Sequence, residues 1–242
     1  MDSGQFRITR GAMLLLLLEV GLTLVYLLSS PELRHNLDEW LLASHVSVWD
    51  HGRAWTLVTG ALIEPNFLGL LLHAIMLWGF IPTLERFWGT ARFLRFAAIT
   101  SLIGTTVGTA IGYVTLGGEA GVLITGLNSF IYASIVAFGI VYARQPVQFW
   151  GVLPLTGRQL MFGFLGFLTL SVVLRGDWDN GAGWAAAMIA AAIMTSKRWS
   201  PSLAVKRWRI ARARARLTVM QGGVPGSGAR QKPKRDEQRW LN

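Results

Sequence analysis

The chain has 242 residues and no cysteine, is 52% hydrophobic and only 15% charged, and has a mean hydropathy of +0.42. A soluble domain averages about 25% charged residues, so this composition leaves too little polar surface to cover a water-soluble globule. Without cysteine there is no disulfide framework, thiolate metal site or cysteine nucleophile. The expectation is an all-α, polytopic membrane protein.

After a short N-terminal segment (1–10), six apolar runs follow at 11–29, 66–84, 96–118, 121–143, 159–174 and 180–196. Each approaches the roughly 20 residues needed to cross a bilayer, the last two being shorter and rich in Gly and Ala. The first run is too long for a signal peptide and has no small-residue cleavage site after it. Between the first two runs, residues 30–65 read as an outer loop whose Trp and apolar residues alternate with charge, a pattern for short helices lying at the interface. Residues 197–242 carry 13 Lys/Arg against two acids, whereas residues 1–196 carry 10 Arg against 11 acids. Within that tail, residues 197–220 read as a basic helix leaving the membrane and 221–242 as a disordered end.

Loop charge sets orientation. With the N-terminus inside, 20 of the 23 Lys/Arg fall on the cytoplasmic side, leaving only Arg34, Arg53 and Arg175 outside. Both termini are then cytoplasmic, in a six-span, multi-pass protein expected in a bacterial inner membrane.

Polar residues inside apolar spans are functional candidates because burying them in hydrocarbon is costly. Here they are Glu19, Asn66, His73 and Asn128, with Gln159 and Asn180 opening the last two spans. Small residues at a spacing of four, Gly104, Gly108 and Gly112 on the third span and Ala182, Ala186 and Ala190 on the sixth, mark faces for close helix packing.

Several motifs resemble those of the rhomboid intramembrane serine proteases. Arg53 through Thr56 looks like a Trp-Arg-x-x-Thr entry to the second span, and Glu85 through Gly89 is similar to a Glu-x-x-x-Gly cytoplasmic turn. Gly126-Leu127-Asn128-Ser129 with Tyr132-Ala133 resembles the Gly-x-Ser-Gly-x-x-Tyr-Ala of the fourth span, and Asn180-Gly181-Ala182-Gly183 stands where a small residue precedes the catalytic His. The resemblance covers about residues 10–196 and implies a six-span rhomboid-like bundle, with Arg53, Glu85, Gly89, Gly126 and Tyr132 as structural motif residues. It departs at the chemistry. Asn128 stands at the nucleophile position, Gly183 at the base, and Gly69 and His73 at the oxyanion pair. An amide cannot replace an activated hydroxyl, and oxyanion donors supply a large share of such catalysis.

The resemblance therefore implies the fold without the activity: a pseudoprotease that binds membrane-protein clients or complex subunits through His73, Asn128, Ser129 and Asn180. The short fifth and sixth spans would thin the bilayer beside this site. The alternative is an active protease using the adjacent Ser129, possibly with His73, although one residue along a helix turns a side chain by about 100°. Ser129, rather than Asn128, aimed at the fifth and sixth spans would overturn the pseudoprotease reading of the site. A solute carrier lacks the second pseudo-symmetric half. The blander reading of His73 and Asn128 is a mutual hydrogen bond that satisfies both.

Glu19 is either a protonatable contact for a partner helix or a neutral carboxyl bonded within the bundle, with Thr23 as its candidate partner. The outer-loop His35, His45 and His51 are irregularly spaced, so no metal and no cofactor are expected. Lys206 and Arg207, Arg209, Arg212, Arg214 and Arg216 would attract anionic lipid headgroups, about 1 kcal/mol per cation near the surface. Nucleic acid is disfavoured because no base-reading module accompanies the charge.

Overall fold

The computed structural model describes residues 8–116, 123–149, 153–196, 208–210 and 212. The chain divides into two units, 1–199 and 200–242. In the second unit Trp208, Arg209, Ile210 and Arg212 are helical and exposed, with the Arg212 guanidinium 4.5 Å from the Trp208 ring centre. Arg207, Arg214, Arg216 and the 221–242 tail lie outside the described residues.

The first unit begins with α1 (Arg10–Leu28), which buries Ala12, Leu15, Glu19, Thr23 and Tyr26 along one face. Leu14, Leu17, Leu18 and Val25 on the other faces are exposed. Polar groups inside and leucines outside invert the pattern of a soluble helix, as a lipid solvent demands. The 30–65 segment holds α2 (Pro31–Leu41), a π-turn at Val46–Asp50 and α3 (Thr56–Thr59), which runs into a 3-10 turn at Gly60–Leu62. It is a string of short helices, as the interleaved charge predicts.

The chain then turns by 80° into α4 (Phe67–Ile75) and a π-helical stretch, Met76–Phe80. Pro65 cannot continue a helix, and the Asn66 carboxamide caps α4 by accepting from Leu68 N at 2.9 Å. Next come α5 (Pro82–Trp88) and the long α6 (Thr90–Leu116), joined at Gly89, whose φ of 79° suits only glycine.

Helix α7 (Asn128–Val141) has 14 residues, and ten of them are buried. At 1.5 Å per residue it is about 21 Å long, short of a bilayer's roughly 30 Å hydrocarbon core. A helix enclosed by its neighbours need not match the lipid. A two-stranded antiparallel hairpin, β1 (Pro146–Phe149) with β2 (Leu153–Thr156), follows in the register Pro146↔Thr156 to Phe149↔Leu153. No strand is expected there from the sequence, whose short runs fall between apolar spans without the alternation that marks a hairpin. Two helices complete the unit, α8 (Gly157–Arg175) and α9 (Trp178–Thr195).

Among the described residues the molecule is all-α apart from this hairpin. Three helices, α1, α6 and α8, are long and apolar enough to cross a membrane among the described residues, or four if the bent α3–α4 pair is one span.

Two expectations need correction. The fifth run is not short: Thr156 and Gln159 form a capping box that starts α8 early, Gly176 closes it in the left-handed region, and the helix reaches 19 residues, as long as α1. Local thinning by a short fifth span therefore loses its basis. The buried stripe of α9 is Gly183, Ala187 and Ala191, one residue beyond the expected Ala182, Ala186 and Ala190. That stripe faces Gly104 and Gly108 of α6 so closely that a Cβ on Gly183 would sit 2.4 Å from the Gly104 carbonyl oxygen.

Candidate functional site

A chain of polar side chains crosses the interior from α1 to α7. Glu19 is wholly buried, and its Oε1 lies 2.6 Å from His73 Nδ1 on α4. His73 Nε2 lies 3.1 Å from Asn128 Oδ1 at the start of α7. The Asn128 amide nitrogen donates to Glu64 Oε2 at 3.3 Å and to the Thr125 carbonyl at 3.1 Å. Leu127 N also donates to Glu19 Oε1, at 3.4 Å. Four groups from separate parts of the sequence thus bond one another in a region where unpaired polar atoms are costly, and Glu19 Oε2 alone among their oxygens is buried without a hydrogen-bond partner.

The backbone builds this cluster. Gly126 N donates to the carbonyls of Gly60 and Ile63, at 3.0 and 2.9 Å, and Ile124 N to Ala43 O at 2.8 Å. These bonds tie the entry to α7 onto the 30–65 segment. Gly126 has φ 71°, and a Cβ there would sit 2.2 Å from Glu64 Oε2. Glu64 N in turn donates to the Thr23 hydroxyl at 3.0 Å, and Asn66 N to Glu64 Oε1 at 3.2 Å. A Cβ on Gly69 would lie 2.8 Å from Glu64 Cδ. The small residue at position 69 leaves the space that the Glu64 carboxyl fills.

His73 and Asn128 therefore contact each other. Thr23 bonds Glu64 N, and the side-chain partner of Glu19 is His73, correcting the expected Glu19–Thr23 bond. The reason is geometric: an i, i+4 hydroxyl lies along α1, whereas the imidazole faces it from α4.

Ser129 is buried elsewhere. It points at α6, where a Cβ on Gly104 would sit 2.1 Å from its Oγ and 3.3 Å from the Gly183 carbonyl oxygen. The hydroxyl thus looks toward the sixth-run helix α9, but the residue at that position is a glycine. Asn180 donates to Asp177 Oδ1 at 2.9 Å, within its own helix start. The four expected client-binding residues consequently do not form one exposed surface. Tyr132 packs on Trp184, ring centres 5.0 Å apart, joining α7 to α9.

The remaining motif residues hold elements together. Glu85 accepts from Gly11 N and Ala12 N, both at 2.8 Å, from Thr90 Oγ1 at 2.7 Å and from Thr9 Oγ1, so one carboxylate caps α1 and binds the start of α6. Burial pushes its carboxyl up, but these donors outweigh that and hold it below the usual carboxylate range. Arg53 lies over the Trp40 ring at 4.5 Å and donates to the Glu39 carbonyl at 2.6 Å, pinning α2 to the segment before α3.

Glu64 is the member that sequence reasoning missed, because it reads as one of several outer-loop acids. The available signal was Ile63-Glu64-Pro65-Asn66, an acid beside a helix-breaking proline at the mouth of an apolar run. Asp179 is also buried, accepting from Thr115 Oγ1 at 3.0 Å, and His45 is buried near it across Gly112. Among the described residues no group of three or more His, Asp or Glu is arranged to hold a metal ion.

A family model described as "Eukaryotic integral membrane protein (DUF1751)" matches residues 13–197. "Putative rhomboid protease YdcA" of Bacillus subtilis (strain 168) is 36% identical to the chain over 75 residues, which cover 30% of this chain and 38% of the Bacillus protein.

Proposed function

The chain belongs to this family of integral membrane proteins (DUF1751), and within it we propose a rhomboid-like pseudoprotease that binds membrane-protein clients or partner subunits without cleaving them. The observation that carries the reading is the occupancy of His73: one ring nitrogen is engaged by Glu19 and the other by Asn128. A serine hydroxyl needs a free base to become a nucleophile, and Ser129 lies on a different side of α7, against Gly104. A second point concerns charge. Acyl transfer needs donors around the developing oxyanion, yet the Glu64 carboxyl occupies the space beside Gly69 and Asn128. An oxyanion there would meet carboxyl oxygens instead of N–H donors.

The same reading takes the chain as six-span with both termini cytoplasmic, supported by the 20 cations on one side. It takes the basic residues after 197 as contacts for anionic lipid headgroups. The Bacillus relative favours a bacterial inner membrane, and the eukaryotic wording of the family description weighs against it.

The alternative, proteolysis through Ser129, draws on that side chain facing α9. Labelling of the detergent-purified protein with a fluorophosphonate probe separates the two, with an active rhomboid as positive control. We expect no labelling. Labelling abolished by Ser129→Ala would return the protein to the protease class.

A further inference from the structure

The polar cluster also fixes a protonation state. The Asn128 amide nitrogen faces two acceptors, Glu64 Oε2 and the Thr125 carbonyl, which sets the orientation of the carboxamide and turns Oδ1 toward His73. His73 Nδ1 faces a carboxylate oxygen of Glu19. With Glu19 ionised, both imidazole nitrogens face atoms that only accept. A neutral imidazole has one N–H and one lone pair, so one of its two contacts would be acceptor against acceptor in a buried, low-dielectric place, where such a mismatch is costly.

We infer that the cluster is a proton-binding site: His73 is held as a doubly protonated imidazolium between Glu19 and Asn128, with Glu64 as a second countercharge beyond the amide. The groups around the ring come from each element packed on it. They are Glu19 from α1, Glu64 from the turn before α4, and Asn128 from α7, with the Tyr132 phenol farther along α7. One proton thus joins three helices that are distant in sequence. Removing it leaves the Nε2 lone pair against Asn128 Oδ1 and the Glu19 charge without its partner, which loosens the α1–α4–α7 junction. An imidazolium also cannot accept a proton from a serine. This inference does not depend on client binding, and it survives if the protein proves to have other partners.

The test is nitrogen NMR of the full chain in detergent with 15N-labelled histidine, four residues in all. The spectrum is recorded at pH 8, above the ordinary histidine value of about 6.5. We expect one histidine at that pH with both ring nitrogens protonated, and Glu19→Gln to convert that signal to a neutral ring. His73→Gln should delete it. Should His73→Gln fail to fold, Glu19→Gln alone carries the assignment, and His35→Gln with His51→Gln reduces the spectrum to the two buried rings. Four neutral histidines at pH 8, or an imidazolium signal that persists in both Glu19→Gln and His73→Gln, would overturn the inference.

Discussion

Glu85 shows how a single carboxylate can organise the end of a bundle. Its two oxygens satisfy backbone donors at the first turn of α1, where amides have no intrahelical partner, and favour the positive end of the helix dipole. Because its carboxyl is held below its value in the unfolded chain, it stabilises the fold at every pH above that unfolded value, about 4.3. That contribution is lost as pH falls through the lower folded value. Thermal unfolding in detergent followed from pH 7 down to pH 3 should therefore show an acid-side loss of stability. Glu85→Gln should be less stable at pH 7 and should lose part of that acid dependence. An unchanged acid limb in the variant would show that other carboxylates set it.

Between helices, the decisive feature is the seam where α6 meets α9. Gly104 and Gly183 let the two backbones touch, and Ser129 of α7 fills the space that a side chain on Gly104 would need. Close approach of this kind is how helices associate in lipid, where burial of apolar area offers little drive. Gly183→Ala forces a Cβ against a carbonyl and should cost about 1–3 kcal/mol, as overpacking does. Gly163 on α8 has nothing within 4 Å of the same added atom, so Gly163→Ala should be neutral or stabilising, by up to about 1 kcal/mol from helix propensity. Unfolding of the two variants side by side in one detergent measures the contrast. Equal behaviour would contradict the seam. It also follows that a histidine placed at position 183 would break this packing.

The whole molecule can be tested for topology without background, because the chain has no cysteine of its own. Single substitutions His51→Cys, Arg144→Cys and Arg175→Cys fall at exposed positions in three different connections. With six spans and a cytoplasmic N-terminus, a membrane-impermeant maleimide should reach positions 51 and 175 from the outer face. Position 144 should react only once the cytoplasmic side is opened. Labelling of position 144 from outside would mean that α7, 14 residues long, does not cross the bilayer.

How much of this was legible in the residues differs by level. Periodicity and composition mark α1 and α6 because long apolar runs have one structural solution in lipid, and the Glu85–Gly89 motif marks a tight turn because only glycine tolerates the backbone at position 89. The residues opposite one another across helices are not so marked. Glu64 looks like a loop acid until the 80° turn carries it under Gly126 and beside Asn128. Glu19 looks like an unpaired charge until α4 brings His73 to it. The buried small-residue stripe of α9, Gly183, Ala187 and Ala191, is displaced by one residue from the alanines that the sequence spacing favours, since several small-residue faces on one helix satisfy the same period and the partner helix chooses among them. The amino-acid sequence by itself determined a helical membrane protein with polar residues inside its apolar runs, and with Asn128 and Gly183 where the rhomboid resemblance would put the serine and the histidine. Only the tertiary structure decided which polar groups meet, because hydrogen-bond partners depend on how helices are rotated about their axes, and that rotation is set by packing between elements remote in the chain.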